Sequence, residues 1–270
     1  MASVTLVFTA LSCLLAPIYA ESDNLNSVLF SGNYEFIDMT HPFDNRTIYW
    51  TGTEPFKFTK MKEEFDKDNS WYAAYEFTAG EHGGTHIDAP YHFTSTGKRV
   101  GDLPIDKLIL PLVVVDISDK VNGNSDFVLS KNDLDLTLLN SSTDKPCLLI
   151  FNFGWSKYFN DRQKYLGYDE AAKTMKFPGL SIEVAELITS SYKNIVGIGV
   201  DVSSVDPGAS TDFAVHKLFS KTGLYNIENI NIEKRIPASK CTALALPMKI
   251  EKGTGAPLRL VAICPQVTAA

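Results

Sequence analysis

Cysteine is scarce in this chain, four in 270 residues, and histidine is hardly commoner, with five. So few cysteines exclude a scaffold built from disulfides. Cys13 falls in the apolar N-terminal run, which leaves Cys147, Cys241 and Cys264, an odd set that cannot all pair within one chain. Cys241 and Cys264 each sit in an apolar stretch, so buried free thiols are expected there, with a bridge between them as the alternative. A basic stripe is missing too. Lys and Arg are scattered among carboxylates and the net charge is -7, so nucleic acid is not an expected partner. Beyond residue 20 there is no low-complexity linker, no internal repeat and no apolar run long enough for a membrane helix, and residues 21–270 read as one domain. At 44% hydrophobic and 21% charged residues, the chain has the material for a large core, and disorder is excluded.

Residues 1–20 are uncharged and apolar and end in Ala20, just before Glu21 and polar sequence. That is the pattern of a signal peptide, although no Lys or Arg precedes the apolar stretch. The alternative, a membrane anchor, needs roughly 20 apolar residues, and about 15 are available before Pro17. The expectation is a secreted, extracellular chain with no membrane partner once the leader is removed. Asn45-Arg46-Thr47 and Asn140-Ser141-Ser142 match the glycosylation sequon, which has meaning only in the secretory pathway.

Apolar, β-branched runs at 108–117, 147–153, 195–202, 241–250 and 258–263 predict strands, each bounded by Gly, Pro, Asp or Asn. Several lack alternation, so both faces of their sheet should be covered. Helices are predicted from Ser181, a capping residue, to Lys193, and from Thr211 to Thr222, where His216 falls close to an apolar stripe. The class is therefore α/β with a sheet-rich centre.

Three of the five histidines lie between residues 82 and 92, in His82-Gly-Gly-Thr-His86-Ile-Asp88-Ala-Pro-Tyr-His92. The glycine pair and Pro90 oppose a helix. In an extended chain His82, His86 and Asp88 share one face, with Gly84 leaving space between them. Two imidazoles and a carboxylate converging on one point make a metal site with room for water or substrate. A lone histidine is usually an ordinary hydrogen-bonded residue, and His41, before Pro42 in an expected turn, is read that way. Packing alone does not account for the cluster.

This segment resembles the signature H-x-G-T-H-x-D-x-P-x-H of the cyclase family, which includes bacterial-type kynurenine formamidases and isatin hydrolases. Asp38-Met-Thr-His-Pro42, Ile198-Gly-Val-Asp201-Val-Ser-Ser204 and Gly255-Ala-Pro-Leu-Arg259 resemble further blocks of that family. The resemblance implies a swivelling β/β/α core and commonly a homo-oligomer. It implies metal ligation by His82, His86 and Asp88, with Asp88 shared with a second ion held by His216 and Glu228, and His92 acting as acid and base. Two zinc ions are expected, with manganese as the alternative. The implied partner is a small-molecule amide: an aryl formamide such as N-formylkynurenine, with ring opening of a cyclic amide such as isatin as the runner-up. The family's W-P-G-D turn is replaced here by Trp50-Thr51-Gly52-Thr53. Trp50 is thus either a substrate platform or a core aromatic. Asp201 and Ser204 either shape the site or form a turn. A non-catalytic binding protein with this fold is the competing reading; it predicts a degenerate site, and none of the six positions is degenerate.

Overall fold

The computed structural model describes residues 24–141 and 145–266, so residues 1–20, where a signal peptide is expected, lie outside the described residues. Glu35–Ala270 form one compact unit. In the segment before it, a short helix α1 (Leu25–Leu29) is capped by the Asn24 side chain. Among the described residues no helix is long and apolar enough to cross a membrane.

In chain order the strands are β1 (Tyr34–Asp38), β2 (Lys57–Phe65), β3 (Trp71–Thr78), β4 (His86–Asp88), β5 (Ile109–Asp116), β6 (Val128–Leu129), β7 (Cys147–Asn152), β8 (Gly179–Leu180), β9 (Ile195–Val200), β10 (Tyr225–Glu228), β11 (Cys241–Pro247) and β12 (Gly255–Pro265). The remaining helices are α2 (Ser118–Val121), α3 (Leu136–Ser141), α4 (Arg162–Leu166), α5 (Ile182–Ser191) and α6 (Ala214–Thr222). Eight strands form one sheet in the order β1-β12-β11-β5-β7-β9-β10-β4. Strand β4 pairs antiparallel with both β10 and β12, which closes the sheet into a barrel-like ring.

The apolar runs explain this ring. Strands β5, β7, β9 and β10 are mutually parallel, and all six residues of β7 are buried. Alternate side chains go to opposite sides: Leu149 and Phe151 join the core under α5 and α6, while Leu148 and Ile150 fill the other core with Ile227 and Leu260. Each fully buried Leu or Phe contributes about 1.5–3 kcal/mol against leaving it in water.

Three features depart from expectation. Helix α6 begins at Ala214 rather than near Thr211, because Phe213 takes a left-handed backbone conformation with φ 52 that no helix accommodates. Strands β2 and β3 pair with each other as a separate two-stranded ribbon, where no strand was expected. The expectation of free thiols at Cys241 and Cys264 is corrected: the two are bridged. Strands β11 and β12 run antiparallel with Thr242 opposite Ile263, so the cysteines face each other with Cα atoms 4.3 Å apart. Local hydrophobicity gave no hint of this, since it does not tell which strands become neighbours. Cys147 remains a free, buried thiol, and burial pushes its pKa up to about 11.

The unfolded, non-reduced chain from residue 21 onward is expected to titrate one thiol, that of Cys147. Replacing both Cys241 and Cys264 by Ala should cost roughly 3 kcal/mol, read as a lower denaturant midpoint. A count of three free thiols would remove the bridge.

Candidate metal centre

The site lies where β4 closes the sheet. Glu228 of β10 stands opposite His86, and Gly255 of β12 stands opposite Asp88. His216 reaches in from the first turn of α6, and His92 ends a short 3-10 turn over Pro90–His92. All six residues named from the sequence, His82, His86, Asp88, His92, His216 and Glu228, line one cavity of about 290 Å³.

The route to convergence differs from the one expected. Residues 82–88 are not one extended strand; only His86–Asp88 is. The chain turns at Gly84, whose φ of 56 is left-handed, and the Phe43 ring occupies the space a Cβ would need, at 2.6 Å. Gly84 therefore serves the turn and the packing under it rather than opening the cavity. Gly255 plays the spacing role instead, because a Cβ there would run into the His82 ring.

The donors fall into two groups sharing Asp88. Its Oδ1 lies 2.6 Å from His82 Nδ1 and 3.2 Å from His86 Nε2, while its Oδ2 lies 3.2 Å from His216 Nε2. Glu228 completes the second group, with Oε1 3.0 Å from His216 Nε2, and its Oε2 is 3.6 Å from His86 Nε2. Within each group, His82-His86-Asp88 and Asp88-His216-Glu228, the donor atoms lie within 4.8 Å of one another.

Each imidazole is oriented by its other nitrogen, the usual outer arrangement of a metal-binding histidine. His86 Nδ1 faces the Gly84 carbonyl at 3.0 Å, and His216 Nδ1 faces Asp206 Oδ2 at 2.7 Å. Asp206 also accepts from the Val215 and His216 amides, so one carboxylate caps α6 and aims its histidine. The Thr254 hydroxyl donates to Glu81 Oε2 at 2.6 Å, which leaves it an acceptor for His82 Nε2 at 2.8 Å and keeps the Nδ1 lone pair directed at the cluster. Glu228 Oε1 accepts from the Val205 amide at 3.0 Å. Glu81, Thr254 and Asp206 escaped the sequence reading because they are ordinary polar residues until the ring closes. Asp206 carries no local capping signal, since it lies seven residues before Phe213 at the start of α6.

The electrostatics favour a cation. Burial raises the pKa of the Asp88 carboxyl, but the three histidines around it outweigh that and hold it well below the usual range. Burial lowers the pKa of His86 and His216, yet the surrounding carboxylates raise both above the ordinary imidazole value. No Lys or Arg is among the side chains lining the cavity, so positive charge must come from protonated imidazoles or from an ion. Nitrogen and carboxylate donors in two groups around a shared carboxylate fit divalent cations.

His92 lies against the group. Its ring stacks on His82 at 3.9 Å, and burial drives its pKa down to about 4. Aromatic rings line the cavity beside the donors, with Phe93 4.7 Å from the His216 ring and 4.5 Å from the His92 ring. Trp50 packs edge-on to Phe177 and tilts against Phe213 at 5.8 Å, while Phe93 packs on Phe213 at 5.7 Å. Trp50 packs against the core and also lines the cavity. Ser203 and Ser204 also line the cavity. Asp201 instead accepts from the Phe153, Trp155 and Ser156 amides and so forms a turn. His41 stacks on Phe159 and stays outside the cavity.

Comparison with known proteins agrees with this architecture. An isatin hydrolase from Roseibium aggregatum is 29% identical over 258 residues, covering 90% of this chain and 96% of that protein. A kynurenine formamidase from Bacillus thuringiensis subsp. konkukian is 30% identical over 229 residues, covering 84% of this chain and 96% of that one. The structure of isatin hydrolase A from Ralstonia solanacearum superposes with a TM-score of 0.80 at 26% identity, covering 89% of this chain and 95% of that one. The Cyclase family model matches residues 37–207, which include the segment from His82 to His92 and stop short of His216 and Glu228. With more than half its length matched, the chain belongs to the Cyclase family.

Proposed function

We propose that this chain is a secreted, divalent-metal-dependent amide hydrolase, acting as a homo-oligomer on an aryl formamide such as N-formylkynurenine to give kynurenine and formate. Family membership and relatives that are hydrolases of amide C–N bonds support the reaction class. The observation that carries the reading is the pair of donor groups sharing Asp88, with His92 and aromatic side chains beside them in one cavity. His82, His86 and Asp88 would hold one ion and Asp88, His216 and Glu228 a second, zinc first and manganese as the alternative. A divalent ion supplies a water of lowered pKa, near 7 in the best cases, and polarises a carbonyl.

The chain's own residues do the rest. His92, whose lowered pKa keeps it neutral near pH 7, can take a proton from water at a ring nitrogen. It then returns that proton to the departing amide nitrogen as the C–N bond breaks and water's oxygen stays on the acyl carbon. Without that return the amine is a poor leaving group. Trp50, Phe93 and Phe213 would hold the aryl ring between them, orienting the amide toward the donors.

A second reading is the opening of a cyclic amide such as isatin. It is favoured by the cavity lining, which holds no Lys or Arg to meet the carboxylate of an amino-acid tail, and by the coverage of the isatin hydrolase relatives. Both substrates are aromatic amides with a carbonyl ortho to nitrogen. Thr53, in place of the acid expected from the W-P-G-D turn, lines the same cavity.

The purified chain is expected to contain zinc or manganese and to hydrolyse one of the two amides. His92→Ala should lower kcat about 10²–10⁴-fold with the metal content unchanged. Metal-loaded chain inert toward both amides would sink the reading. Thr254→Val is expected to weaken zinc affinity about 10–100-fold in chelator competition, with Thr254→Ser restoring it. Equal affinity in all three chains would show that Thr254 does not orient His82.

A further inference from the structure

A second cavity, of about 490 Å³, shares no lining residue with the metal centre. Its walls come from the segment 90–98, the turn that ends at Lys107, the ends of α5 and α6, and the starts of β9 and β10. Lys98, Lys107, Lys193 and Lys221 all line it, and no Asp or Glu does. That concentration runs against the composition, since Asp and Glu outnumber Lys and Arg by 32 to 25 over the chain. Among the described residues, the ion pairs of Lys and Arg use Arg46, Lys57, Lys60, Lys62, Lys176 and Arg259, and none of these four.

Helix ends account for part of this charge. The carbonyl end of a helix favours a cation; Lys193 donates to the Thr189 carbonyl in α5, and Lys221 sits in the last turn of α6. Other donors already meet the final carbonyls of α6: the Gly223 amide reaches Ser220, and the Leu224 amide and Thr222 hydroxyl reach Phe219. Lys98 and Lys107 come from connecting segments, Lys107 at the end of a single 3-10 turn. Ammonium groups gathered around one space repel one another unless anions lie between them.

A buried hydroxyl points the same way. Ser220 lines this cavity and is 3% exposed, yet its hydroxyl has no hydrogen-bond partner among the described residues. Buried polar groups are normally hydrogen-bonded, and an anionic oxygen in the cavity would be its acceptor. Thr94 and Thr96 add further hydroxyl donors, while Leu103, Pro104 and Val196 offer an apolar wall.

We infer that this cavity is a binding site for a small organic dianion, two carboxylate or phosphate groups on a short carbon skeleton, held by the four lysines and Ser220. The inference does not depend on the reaction proposed above. The site backs onto the elements of the metal centre. Segment 90–98 is closed by the Tyr91 amide on the Lys98 carbonyl at 3.0 Å and the Gly97 amide on the Thr94 carbonyl at 2.8 Å. It presents His92 and Phe93 to the metal centre, and Pro90, Thr94 and Lys98 to this cavity. Helix α6 presents His216 to the first and, one turn later, Ser220 to the second. A bound dianion therefore touches both elements that deliver His92 and His216 without entering the metal centre.

The test is isothermal titration calorimetry of the purified chain with succinate and, separately, with fructose 1,6-bisphosphate. Two variants are titrated beside it, Lys98→Gln with Lys107→Gln, and Lys193→Gln with Lys221→Gln. At least one probe should bind once per chain, and the preference between them separates a carboxylate from a phosphate ligand. Each variant should raise the dissociation constant at least tenfold, and added salt should raise it in the parent. Lys98, Lys193 and Lys221 are exposed and Lys107 is half-buried, so circular dichroism should match the parent; if one pair fails to fold, the other decides. Binding by neither probe overturns the inference, as does binding that either folded variant leaves unchanged. So does binding accompanied by release of metal, which would put the probe on the metal ions. Turnover is not read, so an inactive chain leaves the result standing.

Discussion

Asp88 is 2% exposed, and a buried acid is tolerable only where positive charge or donors meet both of its oxygens. That requirement organises the surrounding structure. Strand β4 is three residues long and hydrogen-bonded on both edges, so Asp88 is fixed from β10 and β12 at once. Opposite it stands a glycine, because the His82 ring fills the space beside Gly255. The chain between His82 and His86 turns where a left-handed residue is needed and Phe43 leaves no room for a side chain. Each histidine that meets Asp88 is turned by a hydrogen bond from its far nitrogen. Removing the carboxylate would take away the one group that His82, His86 and His216 all face and leave Glu228 alone to meet His86 and His216.

Much of this was legible before the fold was known. The uninterrupted apolar runs announced strands covered on both faces, and Ser181 announced the start of α5, where its hydroxyl accepts from the Val184 amide. The cluster from His82 to His92 was legible because its members are close in sequence. His216 and Glu228 were named only through resemblance to a family, since nothing local distinguishes them; they join Asp88 because α6 begins and β10 ends beside β4. The reason given for convergence was wrong in part, as alternation along a strand was credited with what a glycine turn performs.

What could not be read depended on neighbours far along the chain. Thr254 and Glu81 meet only when β12 reaches β4, 173 residues apart in sequence. The bridge of Cys241 to Cys264 follows from the pairing of β11 with β12. The ribbon of β2 and β3 was hidden because neither strand alternates cleanly: Glu63 interrupts the apolar face of β2, and Ala73 and Ala74 blur the two faces of β3. Phe213 interrupts a helical pattern with a backbone conformation costly for a bulky residue, and nothing in the residue type announces that.

The two sides of the cavity are built from different kinds of structure. The donors sit mainly on β4, β10 and α6, tied by paired backbone and outer hydrogen bonds, whereas Trp50, Thr53, Phe93 and Phe213 sit on connecting segments. Connecting segments accept substitution and changed length more readily than paired strands. Divergence within such a lineage can therefore remodel what is recognised while leaving the reactive half intact. A scaffold of this kind supplies one bond-breaking apparatus to many neighbouring chemistries, each reached by altering a few residues at the rim.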